Sequence, residues 1–60
     1  MNLIKYGVFF EERYEGKWMD DYFTLNGEGF NYDEALYIAN DLKAHGVDGI
    51  PVRNVRIEKL

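Results

Sequence analysis

Cysteine and serine are both missing from these 60 residues, Thr24 is the lone threonine and His45 the lone histidine. Covalent catalysis needs a hydroxyl or thiol beside a base, so this inventory argues against a nucleophilic enzyme. Disulfides are excluded, and the residues for a metal or cofactor site are too few: Asp20-Asp21 on a strand point to opposite faces, and the spacing of a calcium loop is absent. No metal, no cofactor and no catalytic activity are therefore expected. His45, at the end of a predicted helix, is read as a partner of the helix dipole.

No stretch approaches the roughly 18 apolar residues of a membrane span, and Lys5 followed by Tyr6 to Phe10 does not form a signal peptide. The expected setting is cytoplasmic, which the missing cysteines fit. Met1 followed directly by the first strand reads as a complete short gene product, one domain over residues 1–60. A concentrated basic surface is lacking too, which makes nucleic acid an unlikely partner.

What is present is aromatic and acidic. Ten residues are Phe, Tyr or Trp, enough large side chains for a small core without staples. The net charge of −4 is uneven: between Glu11 and Asp41 nine acids stand against Arg13 and Lys17, whereas Lys43, Arg53, Arg56 and Lys59 make the C-terminal part mildly basic.

The stretch from Leu3 to Glu12 predicts a strand, with Ile4, Tyr6, Val8 and Phe10 on one face and Lys5, Gly7, Phe9 and Glu11 on the other. Arg13 to Lys17 supplies a turn in which Gly16 takes a left-handed conformation. A second strand follows from Lys17 to Leu25 with two readings of its inward face: a continuous strand with Met19, Phe23 and Leu25 inward, or a bulge at Asp20-Asp21 that changes the set. Asn26-Gly27-Glu28-Gly29 ends it. Gly27 and Gly29 before a helix resemble a phosphate loop only faintly, since the third glycine is lacking and Glu28 would repel phosphate.

Asn31 with Glu34 three residues on is a capping box, and Phe30 just outside packs on the first turn. The spacing predicts a helix of about 14 residues from Tyr32, stopped by Gly46, with an apolar stripe of Tyr32, Ala35, Leu36, Ile38, Ala39 and Leu42. Asp48-Gly49 turns the chain into a last strand over Ile50 to Leu60. Val52 and Val55 break its alternation, which implies a bulge near Arg53-Asn54, and Pro51 belongs at a strand start or an edge. The expected fold is α+β: a three-stranded antiparallel sheet in the order 2-1-3 with one helix on one face, ββαβ. Ile4, Tyr6, Val8 and Phe10 are expected under Ala35, Leu36, Ala39 and Leu42.

Gly16-Lys17-Trp18, Phe30, Glu34-Ala35, Ile38-Ala39, Leu42, Gly46 and Val55-Arg56-Ile57 together resemble small phage and prophage accessory proteins of ββαβ type. Similar elements occur in half of a peptidoglycan-binding SPOR-like domain, whose first helix and doubled strand–helix unit this chain lacks. The phage resemblance implies an inhibitor or modulator that binds a host or defence protein.

Surface thus carries the functional expectation. One helix cannot hide both faces of three strands, so Phe9 and part of the second strand stay open, as an interface, a homodimer contact or tolerated exposure. The acidic middle either meets a basic partner or serves solubility. The expected role is a non-catalytic protein-binding module, with Phe9, Glu11, Glu15, Trp18, Asp20 and Asp21 as partner-binding residues. The alternatives are a homodimeric structural domain and a single-stranded nucleic-acid binder that stacks bases on sheet aromatics.

Overall fold

The computed structural model describes residues 4–60. Leu3 and Met1, where the sequence starts its first strand and the chain, lie outside the described residues. The order is β1 (Tyr6–Tyr14), β2 (Lys17–Phe23), α1 (Tyr32–His45) and β3 (Val52–Lys59). The strands form one antiparallel sheet, β2-β1-β3, with the helix on one face, the α+β ββαβ arrangement that the periodicities predict.

The β1–β2 hairpin closes through Glu15 and Gly16, both left-handed (φ 50° and 78°), the turn whose twist matches that of paired strands. Its register runs without a break from Tyr14↔Lys17 to Val8↔Phe23, so β2 has no bulge at Asp20-Asp21. Met19, Asp21 and Phe23 therefore share the helix side with Val8 and Phe10, while Trp18, Asp20 and Tyr22 share the open side with Phe9 and Glu11. Leu25 does not belong to that inward set: β2 ends at Phe23, and Leu25 sits exposed in the following turn at φ 53°.

The predicted bulge lies in β3. Phe9 pairs with Arg56 and Glu11 with Arg53, so two steps along β1 face three along β3, and Asn54 takes up the extra residue in a left-handed conformation (φ 55°). Val52, Val55 and Ile57 all reach the core as a result. Ile50 stays outside β3 and instead exchanges backbone hydrogen bonds with Val47 across the Asp48-Gly49 turn.

The helix starts as its cap dictates. The Glu34 amide donates to Asn31 Oδ1 (2.9 Å) and the Asn31 amide donates to Glu34 Oε1 (3.0 Å). Asn31→Ala removes one acceptor from the first turn and is expected to cost about 1 kcal/mol, read as a lowered midpoint in urea unfolding with unchanged slope.

Val8, Phe10, Ala35, Ala39 and Leu42 form the buried core. Three expected members are absent from it, of which Tyr6 is partly buried against its edge. Leu36 is 41% exposed, because close approach through the small Ala35 and Ala39 narrows the buried stripe and leaves a residue one helical step away at the flank. Ile4 is 44% exposed and precedes β1; the core closes at Tyr6, whose ring meets Tyr32 edge-on at 5.3 Å.

Candidate functional site

The helix covers β1 and β3, and none of its Cα atoms comes within 8 Å of a Cα atom of β2. A helix about 10 Å wide spans roughly two strands spaced about 4.8 Å apart, so the third strand is left bare on the helix side as well as on the open side. Met19 is 49% and Phe23 39% exposed on the helix side, and Tyr22 59% on the other. On the neighbouring flank of α1, Tyr37 is 76% exposed. β2 thus carries exposed apolar side chains on both of its faces.

The open face is organised by arginines. Two guanidinium groups approach the Trp18 ring, with Arg53 4.3 Å and Arg13 5.4 Å from its centroid, a distance range for cation–π attraction. Arg53 Nε donates to Glu11 Oε1 at 2.6 Å, and Asn54 Nδ2 donates to Glu11 Oε2 at 3.0 Å. Phe9 stands against Tyr22 (6.1 Å) with Arg56 on its other side (6.0 Å), and Arg56 in turn pairs with Glu58 at 2.7 Å. The bulge at Asn54 aims these cations, because it sets which side chains of β3 face Glu11.

Of the six partner-binding residues predicted, Phe9, Glu11, Trp18 and Asp20 come together on this open face. Glu15 projects from the hairpin turn, and Asp21 lies on the opposite side of the sheet, where its Oδ1 accepts the Tyr22 amide (2.8 Å). The aromatic and acidic halves of the predicted surface are thus separated. The open face is aromatic and holds both ion pairs, with Asp20 and Arg13 outside them, whereas the helix side sets Glu12 against Asp21, with Lys17 at the hairpin end. Reasoning from sequence missed Arg13, Arg53 and Arg56 as face residues, although the parity break at Val52 and Val55 was the signal that located them. It also missed Met19, Phe23 and Tyr37 as a strip, since nothing in the periodicity says which two strands the helix chooses.

The two glutamates beside each other in β1 titrate in opposite senses. Hydrogen bonds from Arg53, and then from Asn54, hold Glu11 below the ordinary value of 4.5. Contact with the Asp21 carboxyl, aided by desolvation, holds Glu12 above it. A carboxyl lowered by folding stabilises the native state above its unfolded pKa and loses that contribution as pH falls through the folded value. A raised one does the reverse: its cost appears as pH rises from the unfolded value through the folded one and is complete at neutrality. Glu12→Gln is therefore expected to stabilise the protein at pH 7 and to lose that gain below pH 4.5, whereas Glu11→Gln destabilises at pH 7 and becomes neutral in acid. Urea unfolding midpoints across pH check both signs.

Among the described residues no group of three or more His, Cys, Asp or Glu is placed to hold a metal ion, and no helix is long and apolar enough to cross a membrane. Comparison with protein-family models, with curated proteins and with solved structures returned no match for this chain.

Proposed function

We propose that this chain is a non-catalytic protein-binding module that works in the cytoplasm, and that its partner docks on β2. The supporting observation is that α1 shields β1 and β3 only, which leaves β2 with exposed aromatic side chains on both faces. Exposed apolar surface grouped on one element, rimmed by charge, is the usual mark of an interface. Phe9, Trp18 and Tyr22 present one side of it, with Glu11, Asp20 and Glu15 at its rim. The resemblance to small phage accessory proteins supplies the class of partner, a host or defence protein that the module modulates or inhibits.

One observation favours a second reading. Aromatics and arginines on an open sheet face are the ingredients of single-strand nucleic-acid binding. Against it, Arg53 and Arg56 are already paired with Glu11 and Glu58, so of the three arginines on the open face only Arg13 stands outside an ion pair.

Capture from bacterial lysate on the immobilised full chain, repeated with variants, separates these readings and the homodimer. A specific protein retained by the wild type is expected to associate more slowly with Asp20→Asn and Glu15→Gln, and to dissociate faster from Trp18→Ala by a factor that corresponds to about 2 kcal/mol. Retention indifferent to all these changes overturns the assignment. Retained oligonucleotide supports the stacking reading, and a concentration-dependent dimer in light scattering supports self-association.

A further inference from the structure

The helix side of β2 has a shape and a charge of its own. An axis about 10 Å from α1, the ordinary separation of packed helices, falls over β2. Two grooves meet at Tyr37 and Ile38, one reaching Phe23 on β2 and the other Phe30, and Met19 lies exposed on the same side of β2 as Phe23. Acids line these grooves, Asp33, Glu34 and Asp41 on α1 and Asp48 beyond the helix, and Glu12 and Asp21 stand on the same side of the sheet. No Lys or Arg lines the two grooves along α1, and the cation on this side of β2 is Lys17 at its hairpin end. We propose that the trough along these grooves takes a basic amphipathic helix of the partner protein, laid beside α1 with its apolar face on Met19, Phe23 and Tyr37 and its lysines or arginines on the acidic rim. The inference rests on the protein-binding reading and names the partner's chemistry.

Two other occupants fit worse. A strand added to the edge of β2 would use the outward backbone groups of Trp18, Asp20 and Tyr22, since Lys17, Met19, Asp21 and Phe23 alternate as the residues bonded to β1. The Tyr22 amide is already taken by Asp21, and the paired aspartates are the kind of charge that blunts an edge. Such a strand would also leave Met19 and Phe23 uncovered. A second copy pressed onto the trough would bring its own acidic rim against this one, at a net charge of −4 on each chain. A cationic helix meets both demands, and it supplies the counter-charge that Glu12 and Asp21 lack where they face each other.

The test is a titration of the isotope-labelled full chain with a synthetic peptide of roughly 18 residues, leucine on one helical face and lysine on the other. Controls are the same peptide with glutamate for lysine and an alternating lysine–valine strand peptide. The leucine–lysine helix is expected to shift the amides of Met19, Phe23, Tyr37 and Asp41, and to bind about tenfold more weakly to the charge-neutral double variant Met19→Ser/Tyr37→Ser. Asp41→Asn with Asp21→Asn is expected to reduce binding and its salt dependence. Undiminished binding by Met19→Ser/Tyr37→Ser, shifts centred on Phe9 and Trp18, or preference for the strand peptide overturns the proposal. If no peptide binds while a captured lysate protein still depends on Trp18, the trough proposal fails and the protein-binding reading stands. Loss of both defeats the two together.

Discussion

Phe10→Ala is expected to unfold this protein at room temperature. Phe10 is fully buried, as is Val8, and it stacks at 5.4 Å on Phe23 while it meets the helix through the shared core. Removing a buried phenylalanine costs roughly 3–5 kcal/mol, from lost transfer energy and from the cavity that remains. A domain of this length has about that much stability in total, since small chains bury a smaller share of their surface and nothing here staples the fold. Leu42→Ala and Val8→Ala should each cost roughly 2–4 kcal/mol. Circular dichroism on heating and urea unfolding read all three. Losses below about half of one kcal/mol at Val8 and Leu42 would reject the assigned core.

Gly46→Ala ranks next. Gly46 ends α1 by donating its amide to the Leu42 carbonyl (2.8 Å) at φ 70° and ψ −164°, a region open almost solely to glycine. Any other residue there costs roughly 1–3 kcal/mol in backbone strain alone. A methyl group would, in addition, run into the Ile50 carbonyl, which is backbone and part of the Val47–Ile50 exchange. The substitution must therefore open the turn that leads into β3, and its cost should exceed the strain by itself. Gly16→Ala is the matched control: it is also left-handed (φ 78°), but a methyl there meets nothing within 4 Å, so its smaller loss isolates the conformational part. Equal losses at the two glycines would show that the clash with Ile50 carries no energy.

The parts of this architecture legible in the sequence are those set by local chemistry. The capping box of Asn31 and Glu34 fixes where α1 begins, Gly46 where it ends, and the parity break between Val52 and Val55 reports the bulge. The order of strands follows from β1 being the most apolar. What stayed hidden depends on distance between elements. Leu36 and Ala35 look alike in a helical stripe, yet the tight approach of Ala35 and Ala39 to the sheet buries the one and bares the other. The two readings of β2 differed by a bulge that only the register excludes, and that register also separates Asp20 from Asp21. Arg53 reaches Trp18 and Glu11 because a residue far along the chain, Asn54, adopts a left-handed conformation.

The same distinction governs the candidate site. Aromatic residues at Phe9 and Trp18 and acids through the middle of the chain are plain in the sequence, but their division between two sheet faces is not. The open face holds the two ion pairs and the helix side the Glu12–Asp21 contact, so substitutions on the two faces should report different physics. Neutralising Glu11 frees Arg53 and alters the Trp18 stack, whereas neutralising Glu12 relieves a repulsion and leaves that stack intact.

The claim that joins these findings is that β2 is working surface and not unfinished core. Met19 of β2 and Tyr37 on the neighbouring flank of α1 are both exposed. The deciding measurement is the dissociation constant of the captured partner for the double variant Met19→Ser/Tyr37→Ser, made on protein whose urea midpoint has first been matched to the wild type. Exposed positions away from the core should change stability by no more than about 0.5 kcal/mol, and the affinity should fall at least about tenfold. An unchanged dissociation constant in this fully folded variant and in Trp18→Ala alike would contradict the account.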